Sequence, residues 1–156
     1  GHKSRKGLRK KMCKIGDIIL IYNARNKQPV GAHPFIVLDD TNGTVMGLYN
    51  YDFIGLLLTS ASNEERKEHL KKYAGNFPIA KDDKYMNTNE AKNLDSYVEA
   101  DQLFYFDKSK IKYKHLGTLD TEIFNLIIEF MEELSNRGIE LKQILDKAQK
   151  IELPET

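Results

Sequence analysis

Four histidines and one cysteine are the side chains here best suited to proton transfer or nucleophilic attack near neutral pH. They are scattered rather than grouped. His33 stands before Pro34 at the head of an apolar run, while His69 and His115 have no partner pattern and read as surface groups. No His/Asp/Glu cluster has metal-ligand spacing, so neither a metal nor another cofactor is expected. Cys13 has no second cysteine to pair with. Charge is the other chemical signal. Lys3, Arg5, Lys6, Arg9, Lys10, Lys11 and Lys14 crowd residues 1–14, an arm that could grip phosphates or lie solvated in water. Gly1-His2 reads as a remnant of tag removal.

The elements that must position these groups follow from patterning. Asp17-Ile18-Ile19-Leu20-Ile21-Tyr22 predicts a strand ending at Asn23, and residues 23–32 read as a polar loop carrying Arg25, Lys27, Pro29 and Gly31. Pro34-Phe35-Ile36-Val37-Leu38 predicts a second strand, closed by the turn residues 39–43. Residues 44–50 and 51–59 supply two more strands. Ser62 and Glu65 have capping-box spacing, which predicts a surface helix running to Tyr73 and ending at Gly75. Residues 81–93 are polar and read as a long excursion loop or flap.

Strand character returns over residues 96–106, where Tyr97, Phe104, Tyr105 and Phe106 suit a core or a base-stacking face. Residues 111–115 read as an edge strand. Asp120 can cap a helix in which Ile123, Phe124, Ile127, Ile128, Met131 and Leu134 form a stripe for the core or a subunit interface, ended by Gly138. A shorter amphipathic helix carrying Ile139, Leu141, Ile144, Leu145 and Ala148 is expected after it. The expected class is α+β: a small antiparallel β-barrel with a surface helix and C-terminal helices.

At 156 residues, 40% hydrophobic and 30% charged, the chain fits one domain. Its longest apolar runs are too short to span a bilayer, and Lys14 and Asp17 interrupt any signal-peptide core. A cytoplasmic protein with no membrane partner is expected. A DNA-binding accessory protein using the basic arm is a further reading, and the near-neutral charge of +1 argues against it.

Four ordered signatures resemble the MazF/PemK-like toxins, including the Kid-type members. Ile15-Gly16-Asp17-Ile18-Ile19-Leu20 resembles the family's opening strand. Residues 31–38, Gly-Ala-His-Pro-Phe-Ile-Val-Leu, resemble the second, which the family usually enters through Gly-x-Arg-Pro. Gly55-Leu56-Leu57-Leu58-Thr59-Ser60 resembles the strand ending in Thr-Ser, and Glu99-Ala100-Asp101-Gln102-Leu103 resembles the Ala-Asp-Gln segment. The resemblance divides the chain into an arm (1–14) and one barrel domain (15–150), with an insertion at 61–95 and a C-terminal helical extension.

The resemblance implies an SH3-like barrel that forms a homodimer, with single-stranded RNA in the groove between subunits. It implies the toxin of a toxin–antitoxin pair: an endoribonuclease that leaves 2′,3′-cyclic phosphate and 5′-hydroxyl ends, blocked by a cognate antitoxin. Such cleavage needs a base, an acid and donors to the phosphorane, and it draws its nucleophile from the ribose, so no metal is required. His33 stands where many relatives hold arginine. A histidine's unperturbed pKa of about 6.5 suits a proton shuttle. His33 is therefore the candidate acid or base and Thr59 the donor to the scissile phosphate. Arg25 or Lys27 would restore the missing cation, and Gly31, Lys27 and Ser60 would contact RNA. Plainer readings stand beside these. His33 also fits a polar residue opening a strand, Thr59 a β-branched strand end, Arg25 a solvated loop and Asp101 a structural turn. A catalytically inactive barrel that binds RNA or a protein partner is the alternative function.

Overall fold

An antiparallel strand with one wet face alternates apolar and polar residues, yet Ile18-Ile19-Leu20-Ile21 does not. A computed structural model shows the reason. Ile18 belongs to one buried cluster and Ile19 and Ile21 to another, on opposite faces of strand β1 (Asp17–Arg25). The structure describes residues 13–25, 28–40, 53–86, 93–107 and 111–144.

After β1 come β2 (Gln28–Asp40), β3 (Phe53–Ser60), α1 (Glu64–Leu70), β4 (Asn76–Ile79), a 3₁₀ turn (Lys81–Asp83), β5 (Lys84–Met86), β6 (Ser96–Glu99), β7 (Gln102–Phe106), β8 (Lys112–Leu119), α2 (Thr121–Asn136) and β9 (Lys142–Ile144). The strands form one curled, mostly antiparallel sheet in the order β4-β6-β3-β2-β1-β8-β5. β6 and β7 pair with successive halves of β3, at Leu58–Ser60 and Phe53–Gly55 respectively. β9 adds to β7 in parallel. The expected α+β small barrel is present as a curled half-barrel with, among the described residues, two helices.

One core lies between the sheet and α2, where Ile127, Met131 and Leu134 are buried with Ile18, Ile36, Leu56 and Tyr105. The helical stripe is therefore core. The second core is aromatic: Phe35 meets Phe104 and Phe106 edge-on at ring-centroid distances of 5.3 and 5.0 Å, and Phe53 stacks on Phe106 at 5.1 Å. Phe104, Tyr105 and Phe106 are thus core residues and offer no face to bases; Tyr97 is half-buried.

Several expectations need correction. Residues 23–32 are largely strand, because β1 and β2 continue as one hairpin that keeps pairing to Arg25↔Gln28. Asn63, not Ser62, caps α1: its side chain accepts the Arg66 amide at 2.8 Å, and the helix ends at Leu70. Part of the supposed excursion loop is ordered, as the 3₁₀ turn and β5. The run 96–106 is broken by a turn at Ala100-Asp101. Where the final helix is expected, Lys142–Ile144 are strand, held from Gln102↔Lys142 to Phe104↔Ile144, and Leu145 and Ala148 lie outside the described residues. Cross-strand partners outweighed a helical spacing of few apolar residues. The basic stretch 1–12 and the expected strand at 44–50 lie outside the described residues.

Both ends of α2 match its sequence. Asp120 Oδ1 accepts the Glu122 amide at 2.9 Å. Gly138, at φ +82°, closes a Schellman pattern in which the Ile139 and Gly138 amides donate to Leu134 and Ser135 carbonyls.

Candidate functional site

The β2–β3 register ends at Phe35↔Leu57; two residues further along each strand stand His33 and Thr59. Both line a groove of about 620 Å³, together with Ser60, Pro34, Glu99 and residues of the insertion. His33 is exposed, Thr59 half-buried and Ser60 exposed. Two candidates taken from distant parts of the sequence thus meet in one concavity.

Thr59 is engaged. Its hydroxyl donates to Glu99 Oε2 at 3.0 Å, and Gln102 Nε2 donates to Glu99 Oε1 at 3.1 Å. Antiparallel pairing makes this possible: Thr59 faces Tyr97, which puts Glu99 two residues along the neighbouring strand. The carboxylate is held from both oxygens, and the only proton of the Thr59 hydroxyl is committed to it.

Arg66 and Lys84 supply the cations. Arg66, in the first turns of α1, lines the groove and has no ion-pair partner among the described residues. Lys84 lines it too, yet is only 7% exposed. Its Nζ donates to the Leu94 carbonyl and, at 3.1 Å, to Ser96 Oγ; that hydroxyl in turn donates to Leu94 at 3.0 Å. Burial pushes the Lys84 pKa down from the ordinary lysine value, and the negative charges of Asp95 and Asp83 oppose the shift.

Two devices place Lys84. β5 lies on β8 at Lys84↔Leu119 and Met86↔Gly117, and a Cβ on Gly117 would fall 2.3 Å from the Tyr85 carbonyl oxygen. Only glycine allows that approach. Behind the strand, Asp95 accepts from the Lys81 amide at 2.9 Å and from Lys67 Nζ at 3.3 Å. The Lys81 N–H, followed by Lys67, holds the Asp95 carboxyl below its usual range, and the same contact raises the Lys67 ammonium.

The other candidates are placed less fully. Arg25 ends β1 opposite Gln28, on the far part of the hairpin, and Gly31 lies in β2 two residues before His33. Lys27 lies outside the described residues. His115 is exposed, as expected of a surface group, and its Nε2 stands 3.4 Å from Asp17 Oδ1, a partner that no sequence pattern indicates. The other oxygen of the buried Asp17 accepts the Lys14 amide at 2.9 Å, so the Gly-Asp signature anchors the start of β1. Asp101 packs its carboxylate where a Cβ of Gly75 would sit, and its carbonyl accepts from Lys142 at 2.8 Å. Among the described residues, no three His, Cys, Asp or Glu side chains gather as a metal site would require.

Sequence reasoning missed Glu99, Arg66 and Lys84. Glu99 heads the Ala-Asp-Gln signature and was within reach. Arg66 and Lys84 sit in charged stretches where no local pattern singles them out.

The groove, from Ile18 to Leu116, falls inside a single family match. The model for the PemK-like, MazF-like toxin of type II toxin–antitoxin systems covers residues 14–133. The chain belongs to this family. The match runs from the turn before β1 into α2 and includes the insertion. Membership makes the chain a toxin whose partner is an antitoxin. No individual curated protein matches it. Among the described residues no helix is long and apolar enough to cross a membrane.

Proposed function

We propose that this toxin is an endoribonuclease that cuts single-stranded RNA in the His33–Thr59 groove without a metal. The observation that carries the reading is the gathering of His33, Thr59, Glu99, Arg66 and Lys84 around one concavity in a MazF-like chain. In-line cleavage needs two proton-transfer groups and positive charge near the phosphate, and this set contains both.

In this reading Glu99 takes the proton of the ribose 2′-hydroxyl, whose oxygen attacks the adjacent phosphorus. His33 delivers a proton to the departing 5′-oxygen, leaving a 2′,3′-cyclic phosphate and a 5′-hydroxyl. As Glu99 gains its proton, its hold on the Thr59 hydroxyl weakens. That hydroxyl can then donate to the phosphorane, where negative charge is growing. Arg66 takes over the cationic service that relatives obtain from the arginine His33 replaces, with Arg25 and Lys27 as further phosphate contacts and Gly31 and Ser60 beside the chain of the RNA.

The same reading includes an SH3-like barrel, a homodimer with the groove at its interface, and an antitoxin segment that competes with RNA for it. The test is analysis of product ends. Single-stranded RNA incubated with the protein in EDTA should yield cyclic-phosphate and 5′-hydroxyl termini. Cleavage that chelation abolishes contradicts the mechanism. One observation favours the inactive-barrel reading: the His33 ring has no hydrogen-bond partner among the described residues to fix its orientation. RNA binding with no cleavage would establish that alternative.

A further inference from the structure

A buried ammonium loses hydration that only an anion or a full set of acceptors offsets. Lys84 has neither in full. Leu94 O and Ser96 Oγ account for two of its three N–H donors, and no carboxylate lies within ion-pair distance among the described residues. We propose that Lys84 binds a backbone phosphate of RNA next to the one held at Thr59, an inference that rests on the ribonuclease reading above.

Position supports this assignment. Lys84 and its partner Ser96 line the same groove as Thr59 and Glu99, so one RNA strand lying in it would meet both. The groove's chemistry favours RNA over an acidic peptide. It presents a cation needing an anion and, at Glu99, a carboxylate with lone pairs left to accept a further donor. A ribonucleotide brings both a phosphate and a 2′-hydroxyl; an acidic side chain brings no donor.

The experiment measures affinity for a mixed-sequence single-stranded RNA whose 2′-hydroxyls are replaced by fluorine, which cannot be cut. Wild type, Lys84→Met and Lys84→Gln are compared over a range of salt, with thermal melting of each. Both variants should bind roughly tenfold more weakly or worse, the loss expected for a charged hydrogen bond. The slope of log affinity against log salt should become shallower by about 0.7, the value for one single-strand phosphate contact. Lys84→Met should melt no lower than wild type, because it removes a buried charge and leaves Ser96 bonded to Leu94. Unchanged affinity and slope in Lys84→Gln, which keeps a donor for Leu94, overturns the proposal. So does a lower melting temperature with an unchanged slope, which assigns Lys84 to closing the sheet. Stronger Lys84-dependent binding of an oligoglutamate peptide than of RNA overturns it as well. Wild type that binds no RNA refutes the ribonuclease reading itself; wild type that binds while both variants match it refutes only the phosphate site.

Discussion

Lys84 Nζ stands 3.1 Å from Ser96 Oγ, although β5 and β6 lie towards opposite ends of the strand order. The sheet curls far enough for its two ends to meet, and a charged side chain spans the meeting point. That contact lines the groove, together with Arg66, Met86, His33 and Thr59.

This closure depends on Gly117. A methyl group there would lie 2.3 Å from the Tyr85 carbonyl oxygen and 2.8 Å from Met86 Cα, both backbone atoms that cannot yield without moving β5. Gly117→Ala should cost about 1–3 kcal/mol, as overpacking does, and should reduce RNA cleavage by displacing Lys84. Urea unfolding and a cleavage assay on the same preparation check both. Full activity in a stable Gly117→Ala protein would show that β5 need not dock on β8.

The Asp95 clasp gives a dependence on pH. Its carboxyl is held below the ordinary value by the Lys81 amide and then by Lys67, so the folded state binds that proton less readily than the unfolded one. Its contribution is therefore complete above the unfolded carboxylate pKa of about 3.9 and fades as pH falls through the lower folded value. Asp95→Asn should unfold at lower urea than wild type at pH 7, with the gap narrowing below pH 4. A gap that widens on acidification would reverse the sign.

Core burial of α2 is testable without reference to RNA. Ile127 is fully buried between the helix and the sheet. Ile127→Ala should destabilise by about 2–5 kcal/mol, whereas Leu126→Ala, at an exposed neighbour, should change stability by about 0.5 kcal/mol or less. Equal losses in thermal unfolding would contradict the orientation of the helix.

The sequence disclosed elements whose signals are local. The Asp120 cap, the spacing of Ile127, Met131 and Leu134, and Gly138 sit within α2 or at its ends, and all behave as read. Extent was harder to see. Polar residues 23–32 continue the β1–β2 hairpin because backbone pairing, rather than apolar content, sustains it. The span of β9 reads as helix because Leu141, Ile144, Leu145 and Ala148 stand at three- and four-residue spacing, and only its partner β7 decides. The site divides in the same way. His33 and Thr59 were legible through ordered family signatures, and pairing sets them near one another. Lys84 was not, since nothing around it in sequence indicates that the sheet will curl and bury it. Glu99 became visible as a groove residue only once β3 and β6 were aligned.

The most direct measurement is single-turnover cleavage of end-labelled single-stranded RNA, in EDTA, by wild type, His33→Ala, Thr59→Ala and Glu99→Gln. Wild type should cut to cyclic-phosphate ends. Loss of either proton-transfer group, His33 or Glu99, should slow cleavage by about 10²–10⁴-fold. Loss of Thr59 should slow it by about 10²–10³-fold, as for one donor to a developing oxyanion. All variants should keep wild-type melting within a few degrees. Folded His33→Ala and Thr59→Ala proteins that cut at the wild-type rate would contradict the assignment of this groove as the place where RNA is cleaved.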